Sequence, residues 1–389
     1  MLGAFPSQII AQMIRDGQIV GSDDSRIQPS SLDCTISDEI YKMKGVFLPR
    51  AGEKMSDLIK EGALFPWDLG KPLECGGIYL ARLNETLKMR PTVYARANNK
   101  SSTGRVNLQV RLLTDGVPRF DAVPRGYRGA LWVLLIPRSF SIKLSKGDAL
   151  NQIRFFNADT TLTRPELEAL YDEEALLHTS NGIHVSKERV EFDERGGITL
   201  TVDLEQPIVG YKCRQSSGTI LDFGSRTHDP NDFFEPIHKP KAGHLVLRRD
   251  EFYILSTLEC LRVPPTFACE MAAYDPSKGE FRSHYAGFGD PGWGYGREGE
   301  IPAAPIVLEM ILQDNDVILR HGQPVCKVVY ERLAAAADRP YGTGELQSNY
   351  ALQRGPRLSK HFAMEEAAAH INNMRIGAVP LTHLVRERP

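Results

Sequence analysis

The chain has 389 residues, 42% of them hydrophobic and 25% charged, with a formal net charge of −2. That length suits two or three domains with real cores, and the balanced charge offers no basic surface for nucleic acid or an anionic membrane. No apolar run approaches the ~18 residues of a membrane span, and the opening residues lack a basic–apolar–small signal pattern, so a cytoplasmic setting is expected.

In chain order, Ile9, Ile10, Met13 and Ile14 fall at helical spacing between Pro6-Ser7 and Gly17, predicting a short helix over 7–16. Ile27 to Ile36 reads as a turn followed by a strand. Further β-like runs follow at 77–83, 87–97, 106–113, 130–136 and 149–156, separated by Gly, Pro, Asn and Asp turns. From Thr163 to His178 the period becomes helical through Leu167, Leu170, Leu176 and Leu177. Strand-like patterning resumes at 198–203, 208–213, 244–247, 252–263, 305–312 and 325–330. After Ala334–Ala337 comes a tail rich in Gly, Gln and Tyr, with a last helix expected from Ser359 to Arg375. The whole is the pattern of an all-β barrel or sandwich protein.

Six cysteines are scattered without a Cys-x-x-Cys pair, which favours free buried thiols over a disulfide framework. The ten histidines include no His-x-Glu and no His-Glu-x-x-His, the ligand patterns of zinc hydrolases and deaminases, so no zinc site is expected.

One stretch concentrates donors for an anion. In Lys100-Ser101-Ser102-Thr103-Gly104-Arg105 two cations bracket two hydroxyls, and a glycine lets backbone approach a ligand. It reads either as a solvated polar turn or as a phosphate-binding loop held between two strands.

The chain also repeats itself. Glu85–Thr92 aligns with Glu259–Thr266 at a spacing of 174, and Leu144–Gly147 with Leu319–Gly322 at 175. Ala130–Phe156 runs against Pro305–Glu331 without a gap. The copies differ where chemistry would sit. Ser101-Ser102 falls on Asp275-Pro276 and Arg105 on Gly279, so the second copy lacks the donor loop. Leu134 falls on Glu309, inside the apolar run Ile306–Leu312. That glutamate either points to solvent from the polar face of its strand or is a desolvated carboxylate with a raised pKa, suited to general base work. Just before it, Ala286–Gly296 alternates glycine with aromatics, as at a hairpin tip on which a planar ligand can lie.

Together these pieces resemble the dCTP deaminase family of the trimeric dUTPase-like superfamily, in its long, duplicated bacterial form. The likeness is carried by Ile27–Asp33, by Lys100–Arg105 with Lys100 where Arg is usual, by Asp290-Pro291-Gly292-Trp293, by Val307-Leu308-Glu309, and by Tyr341 with Asn349-Tyr350-Ala351-Leu352-Gln353. The resemblance implies a mostly β fold: two tandem dUTPase-like β-barrel or jelly-roll units with a few short helices. These units would occupy 1–160 and 183–335, with a helical connector at 161–182 and a C-terminal lid segment and helix at 336–389.

It also implies hydrolytic deamination of dCTP to dUTP and ammonia. Glu309 would activate a water, and Ser101 and Arg105 would hold it and polarise the reacting centre. Lys100, Ser102, Thr103 and Gly104 would bind phosphates, Asp290 the nucleoside, and backbone atoms of Val307 and Leu308 the base edge. Tyr341, Asn349, Tyr350 and Gln353 would close over the triphosphate, Asn349 standing where the family has Lys. Mg²⁺ would accompany the triphosphate with no protein side chain as ligand, and dTTP would be a candidate inhibitor. A homo-oligomer or pseudo-symmetric assembly is expected, with no nucleic-acid or membrane partner. One half offers the loop and the other the glutamate, so a single composite cleft between unlike halves is expected, the reciprocal one being dead. dUTP pyrophosphohydrolysis, alone or combined with deamination, is the alternative enzyme class, and a non-catalytic nucleotide sensor a different class again.

Overall fold

The computed structural model describes residues 2–62, 64–214, 218–272, 287–312, 314–344 and 349–363. Residues 1–159 are built on a nine-stranded antiparallel sheet. Its main path runs Leu108–Thr114, Arg128–Pro137, Ile78–Lys88, Leu32–Met43, Ala149–Phe156, Tyr94–Asn99 and Ala122–Val123. The later part forms two smaller antiparallel sheets. One centres on Phe252–Leu261, flanked by Ile208–Cys213 and Ala304–Ile311; the other centres on Pro324–Arg332, flanked by Gly197–Thr201 and Phe267–Ala272. The expected mostly β fold is what forms, with four α-helical segments among the described residues: Ser7–Arg15, Met55–Glu61, Ser101–Gly104 and Arg164–Glu174.

Local chemistry explains where the elements differ from the sequence pattern. The expected strand over 87–97 breaks at Met89–Val93, because Pro91 has no N–H to give a ladder and restricts the residue before it. The helix expected over 163–178 starts on a Thr163/Glu166 capping box and stops at Ala175, in the left-handed region at φ 48°. Leu177-His178 then turns into a strand paired with Cys260 and Leu261. The strand after Pro29 runs on to Met43, well past Ile36. Residues 359–363 are not helical, and the remainder of the expected last helix lies outside the described residues. All six cysteines are free; five are buried and Cys75 is exposed.

The internal repeat is visible in hydrogen bonds. Glu85 accepts from the Thr35 amide (2.9 Å) and hydroxyl (3.0 Å), and Glu259 accepts from the Thr201 amide (2.8 Å) and hydroxyl (2.7 Å). The Tyr79 hydroxyl accepts from the Glu74 amide at 3.0 Å, and that of Tyr253 from the Arg248 amide at 2.9 Å. Register agrees as well: Leu134 lies opposite Leu80, and Glu309 opposite Ile254. Both strand pairs shift register at matching places, between Arg82 and Thr86 and between Ser256 and Cys260.

The copies part in what covers that face. Trp132, Leu134 and Ile136 pack with Met43, Met55, Leu80 and Leu113, so the 43–64 segment roofs the first copy with its own chain. In the second copy, period two along the strand sends Ile306, Leu308, Met310 and Leu312 into its own core. Val307 and Ile311 instead join the core of the first copy. Glu309, between them, therefore faces the other half. The halves are further tied by a parallel pairing of Ser141–Lys143 with Ile220–Asp222 and by backbone bonds between Ala4 and residues 332 and 334.

Candidate active site

The donor-rich loop folds as one short helical turn between the strands Tyr94–Asn99 and Leu108–Thr114. The amides of Thr103, Gly104 and Arg105 close it onto Lys100 and Ser101, whereas the amides of Ser101 and Ser102, first in the turn, have no intrahelical partner. It is not a solvated turn, since Ser102, Thr103, Gly104 and Arg105 are buried. Among the described residues the buried Thr103 hydroxyl has no hydrogen-bond partner. Lys100 forms an ion pair with Asp33 and so is already engaged.

Across from this turn stands Glu309, 6% exposed, with its Oε1 3.9 Å from Nε of Arg105, itself 2% exposed. That separation is an ion pair without a direct hydrogen bond, and Nε of Arg105 has no hydrogen-bond partner among the described residues. Burial pushes the Glu309 carboxyl up to about 8, with the Arg105 charge pulling the other way. Glu309 is therefore not a solvent-facing strand residue. The two groups that the sequence assigns to different halves meet inside one chain.

Ser101, Arg105, Glu309, Val307, Phe288 and Gln353 line a cavity of about 40 Å³ between the halves, room for a few water molecules at most. Val307 and Leu308 sit where the ladder irregularity begins: Ile306 donates to the Thr257 hydroxyl (2.9 Å) instead of a neighbouring strand carbonyl, a distortion often found beside active sites.

Asp290 closes the hairpin side. It is half-buried, and its Oδ1, itself buried, has no hydrogen-bond partner among the described residues. Burial pushes it up to about 7, offset by Arg154 and Lys100, while the charge of Asp33 adds to the rise. Gly292 follows at φ 94°, and a Cβ there would lie 2.7 Å from both the Tyr341 nitrogen and the Pro340 Cβ, so the hairpin and Tyr341 can be this close only with glycine. The Tyr341 amide donates to the Pro291 carbonyl (2.7 Å), and its ring leans on Trp293 with centroids 5.2 Å apart.

The C-terminal segment completes the walls. Nη2 of Arg105 donates to Gln353 Oε1 (3.1 Å), and Gln353 Nε2 donates to the Pro305 carbonyl (2.6 Å). Tyr350 stacks against the Arg105 guanidinium, 3.8 Å from ring centroid to Cζ. Asn349 is partly buried, and no contact of its side chain with the site occurs among the described residues. The counterpart stretch Asp275-Pro276 and Gly279 lies outside the described residues.

One functional neighbour escapes sequence reasoning. Arg154, 1% exposed, donates to Glu331 (2.7 Å) and Glu270 (3.2 Å) and lies over Phe288 at 4.5 Å. It buttresses the hairpin from the other half. A charged residue inside the apolar strand Ala149–Phe156 was the available signal.

A family model described as the 2′-deoxycytidine 5′-triphosphate deaminase N-terminal domain matches residues 1–159, and the corresponding C-terminal domain model matches residues 164–362. A crystal structure of 2′-deoxycytidine 5′-triphosphate deaminase from Agrobacterium tumefaciens superposes with a TM-score of 0.79 at 33% identity, covering 88% of this chain and 97% of that one. Among curated relatives, a dUMP-forming dCTP deaminase of Leifsonia xyli is 29% identical over 120 residues, 30% of this chain and 55% of that protein. A protein of the same description from Rhodococcus jostii is 32% identical over 147 residues, 37% of this chain and 71% of its own length. With both domain models matched in order over residues 1–362, and a solved deaminase sharing the fold across nearly all of its length, this chain belongs to the dCTP deaminase family.

Proposed function

We propose that the chain is a hydrolase that converts dCTP and water to dUTP and ammonia, taking the nucleotide with Mg²⁺ on its triphosphate as the substrate. The observation that carries this is Glu309: a buried carboxyl between the core residues Val307 and Ile311 of its strand, 3.9 Å from a buried guanidinium. A general base works best with a pKa near the working pH, and burial brings Glu309 to about 8. Ionised Glu309 takes a proton from a water held by Ser101, and the water oxygen bonds to C4 of cytosine. One water proton goes to N3 and the other to the 4-amino nitrogen, with Glu309 carrying them in turn. The C4–N bond then breaks, ammonia leaves and a C4 carbonyl remains. Arg105 stabilises the ionised glutamate and the charge that develops at C4.

The walls around Glu309 offer a guanidinium, a hydroxyl and an amide, a donor set that does not suit a resident zinc ion. Among the described residues no three His, Cys, Asp or Glu side chains are grouped to hold a metal. The reading is therefore zinc-independent, and elemental analysis of active protein with stoichiometric zinc would contradict it. We take the enzyme to work in the cytoplasm as a homo-oligomer. The described helices include none long and apolar enough to cross a membrane.

A second reading is favoured by the curated relatives, which are described as dUMP-forming: the same site would go on to hydrolyse the dUTP it makes. One experiment separates the two. Incubation with dCTP and Mg²⁺, followed by separation of products, yields dUTP and ammonia for simple deamination, or dUMP, pyrophosphate and ammonia for the bifunctional course. Failure to release ammonia refutes both.

A further inference from the structure

The family resemblance leads one to expect phosphate cations at positions 100 and 349. Neither is available here: Lys100 is paired with Asp33, and position 349 is Asn. Yet the C-terminal segment lays two other cations beside the same turn. Nη1 of Arg105 donates to the Arg357 carbonyl (3.0 Å), the Ser359 hydroxyl donates to the Ser102 carbonyl (2.8 Å), and the Lys360 amide donates to the Tyr350 hydroxyl (3.2 Å). The backbone from 350 to 360 is thereby fastened along residues 101–105. We propose that Arg357 and Lys360 are the residues that bind the nucleotide's triphosphate in this chain, replacing the cations missing at positions 100 and 349. This rests on the reading of the cleft as a dCTP site.

Three observations favour a binding role over a structural one. First, each residue is anchored through its backbone. Among the described residues neither side chain has a carboxylate within ion-pair distance, although the chain pairs most of its partly buried cations, Lys100, Arg154 and Lys327 among them. Second, cations are gathered against one another. Arg357 and Arg105 share the Tyr350 ring, at 5.9 Å and 3.8 Å from its centroid. Burial and then the Arg105 charge hold the Arg357 guanidinium below its ordinary range. Burial, Lys100 and Arg226 do the same to the Lys360 ammonium, with Asp33 and Asp148 only partly offsetting them. A fold gains nothing from like charges crowded in a half-buried place, whereas a polyanion arriving there relieves them all. Third, the Arg357 carbonyl and the Ser359 hydroxyl fasten the segment bearing both cations to the 101–105 turn, so a phosphate chain meets that turn's hydroxyls and these charges together.

The test uses the full chain and the variants Arg357→Gln, Lys360→Gln and the double variant. Binding of dCTP, dCMP and inorganic tripolyphosphate is measured by calorimetry, and apparent melting temperature is recorded without ligand. A charge-assisted contact contributes ~1.5–3 kcal/mol, so each substitution should weaken dCTP and tripolyphosphate by roughly ten- to a hundredfold. dCMP should lose less than about threefold, and the unliganded melting temperature should hold or rise. Unchanged tripolyphosphate affinity in the double variant overturns the proposal, as does an equal loss for dCMP and dCTP. The two readings fail separately. A wild-type protein that binds tripolyphosphate through these residues but releases no ammonia leaves this assignment standing and sinks the deaminase. A working deaminase whose double variant keeps full triphosphate affinity sinks this assignment alone.

Discussion

Replacing Glu309 by Gln tests mechanism and electrostatics at once. The substitution keeps the shape and hydrogen-bonding capacity of a neutral carboxyl but can accept no proton. In the folded chain the Glu309 carboxyl titrates near 8, against an ordinary value of 4.5. That difference corresponds to roughly 5 kcal/mol against the ionised form. The sign follows from proton counting. Between pH 4.5 and 8 the unfolded chain has released this proton and the folded chain still holds it, so stability falls as pH rises through that window. Glutamine has no proton to lose. The variant should therefore match the wild type near pH 4.5 and become more stable by several kcal/mol at pH 9. Its ammonia release should fall by the ~10²–10⁴ typical of a lost general base. Urea unfolding at pH 5, 7 and 9, run beside an ammonia assay at saturating dCTP, reads both. A variant less stable than wild type at pH 9 would show that the carboxylate is held by partners the structure lacks. Near-normal turnover would falsify the general-base assignment.

Arg105 is the one charge that pulls the Glu309 pKa down, so Arg105→Met should move the acid limb of the kcat/KM profile to higher pH as well as lower its plateau; a limb that stays in place or moves to lower pH contradicts the pairing. Leu134→Glu puts a carboxylate into the apolar cluster of Met43, Met55, Leu80, Leu113, Trp132 and Ile136. It should cost a few kcal/mol in urea unfolding and add no ammonia release on a Glu309→Gln background, because the chain's own 43–64 segment covers that face. New activity there would mean that the first copy carries a latent site.

Much of the fold was legible because the patterns that announce strands are local. Alternation picked out Leu108–Thr114, strand-like patterning Ile208–Cys213 and an apolar run Ala304–Ile311, and the spacing of Leu167 and Leu170 marked a helix. What failed was equally local but depended on a single residue, such as Pro91 cutting one strand in two or Ala175 ending a helix in the left-handed region. At the site, Glu309 was legible as a carboxylate breaking an apolar run, and the turn as a cluster of donors. Its distance from Arg105 was not, since two residues two hundred positions apart leave no mark of their contact in composition or period. Nor was the engagement of Lys100 by Asp33, or the buried Arg154 behind the hairpin. Cations look alike in a sequence; only packing divides those already paired from those still available to a ligand.

The same point explains why the two copies carry different residues at one equivalent place. Both copies keep the register that sets Leu134 and Glu309 at equivalent places, so the backbone alone would allow either face to build a cleft. The first copy roofs its face with Met55 and its neighbours, a dry cluster in which a leucine is at home. The second leaves its face to the first copy's helical turn, bringing Arg105 to where Glu309 gains a counter-charge. A glutamate at 134 would have no such neighbour, and a leucine at 309 would leave Arg105 with no acid opposite it. On the proposed mechanism the donor turn is needed only in the first half and the carboxylate only in the second, and packing sets what surrounds each.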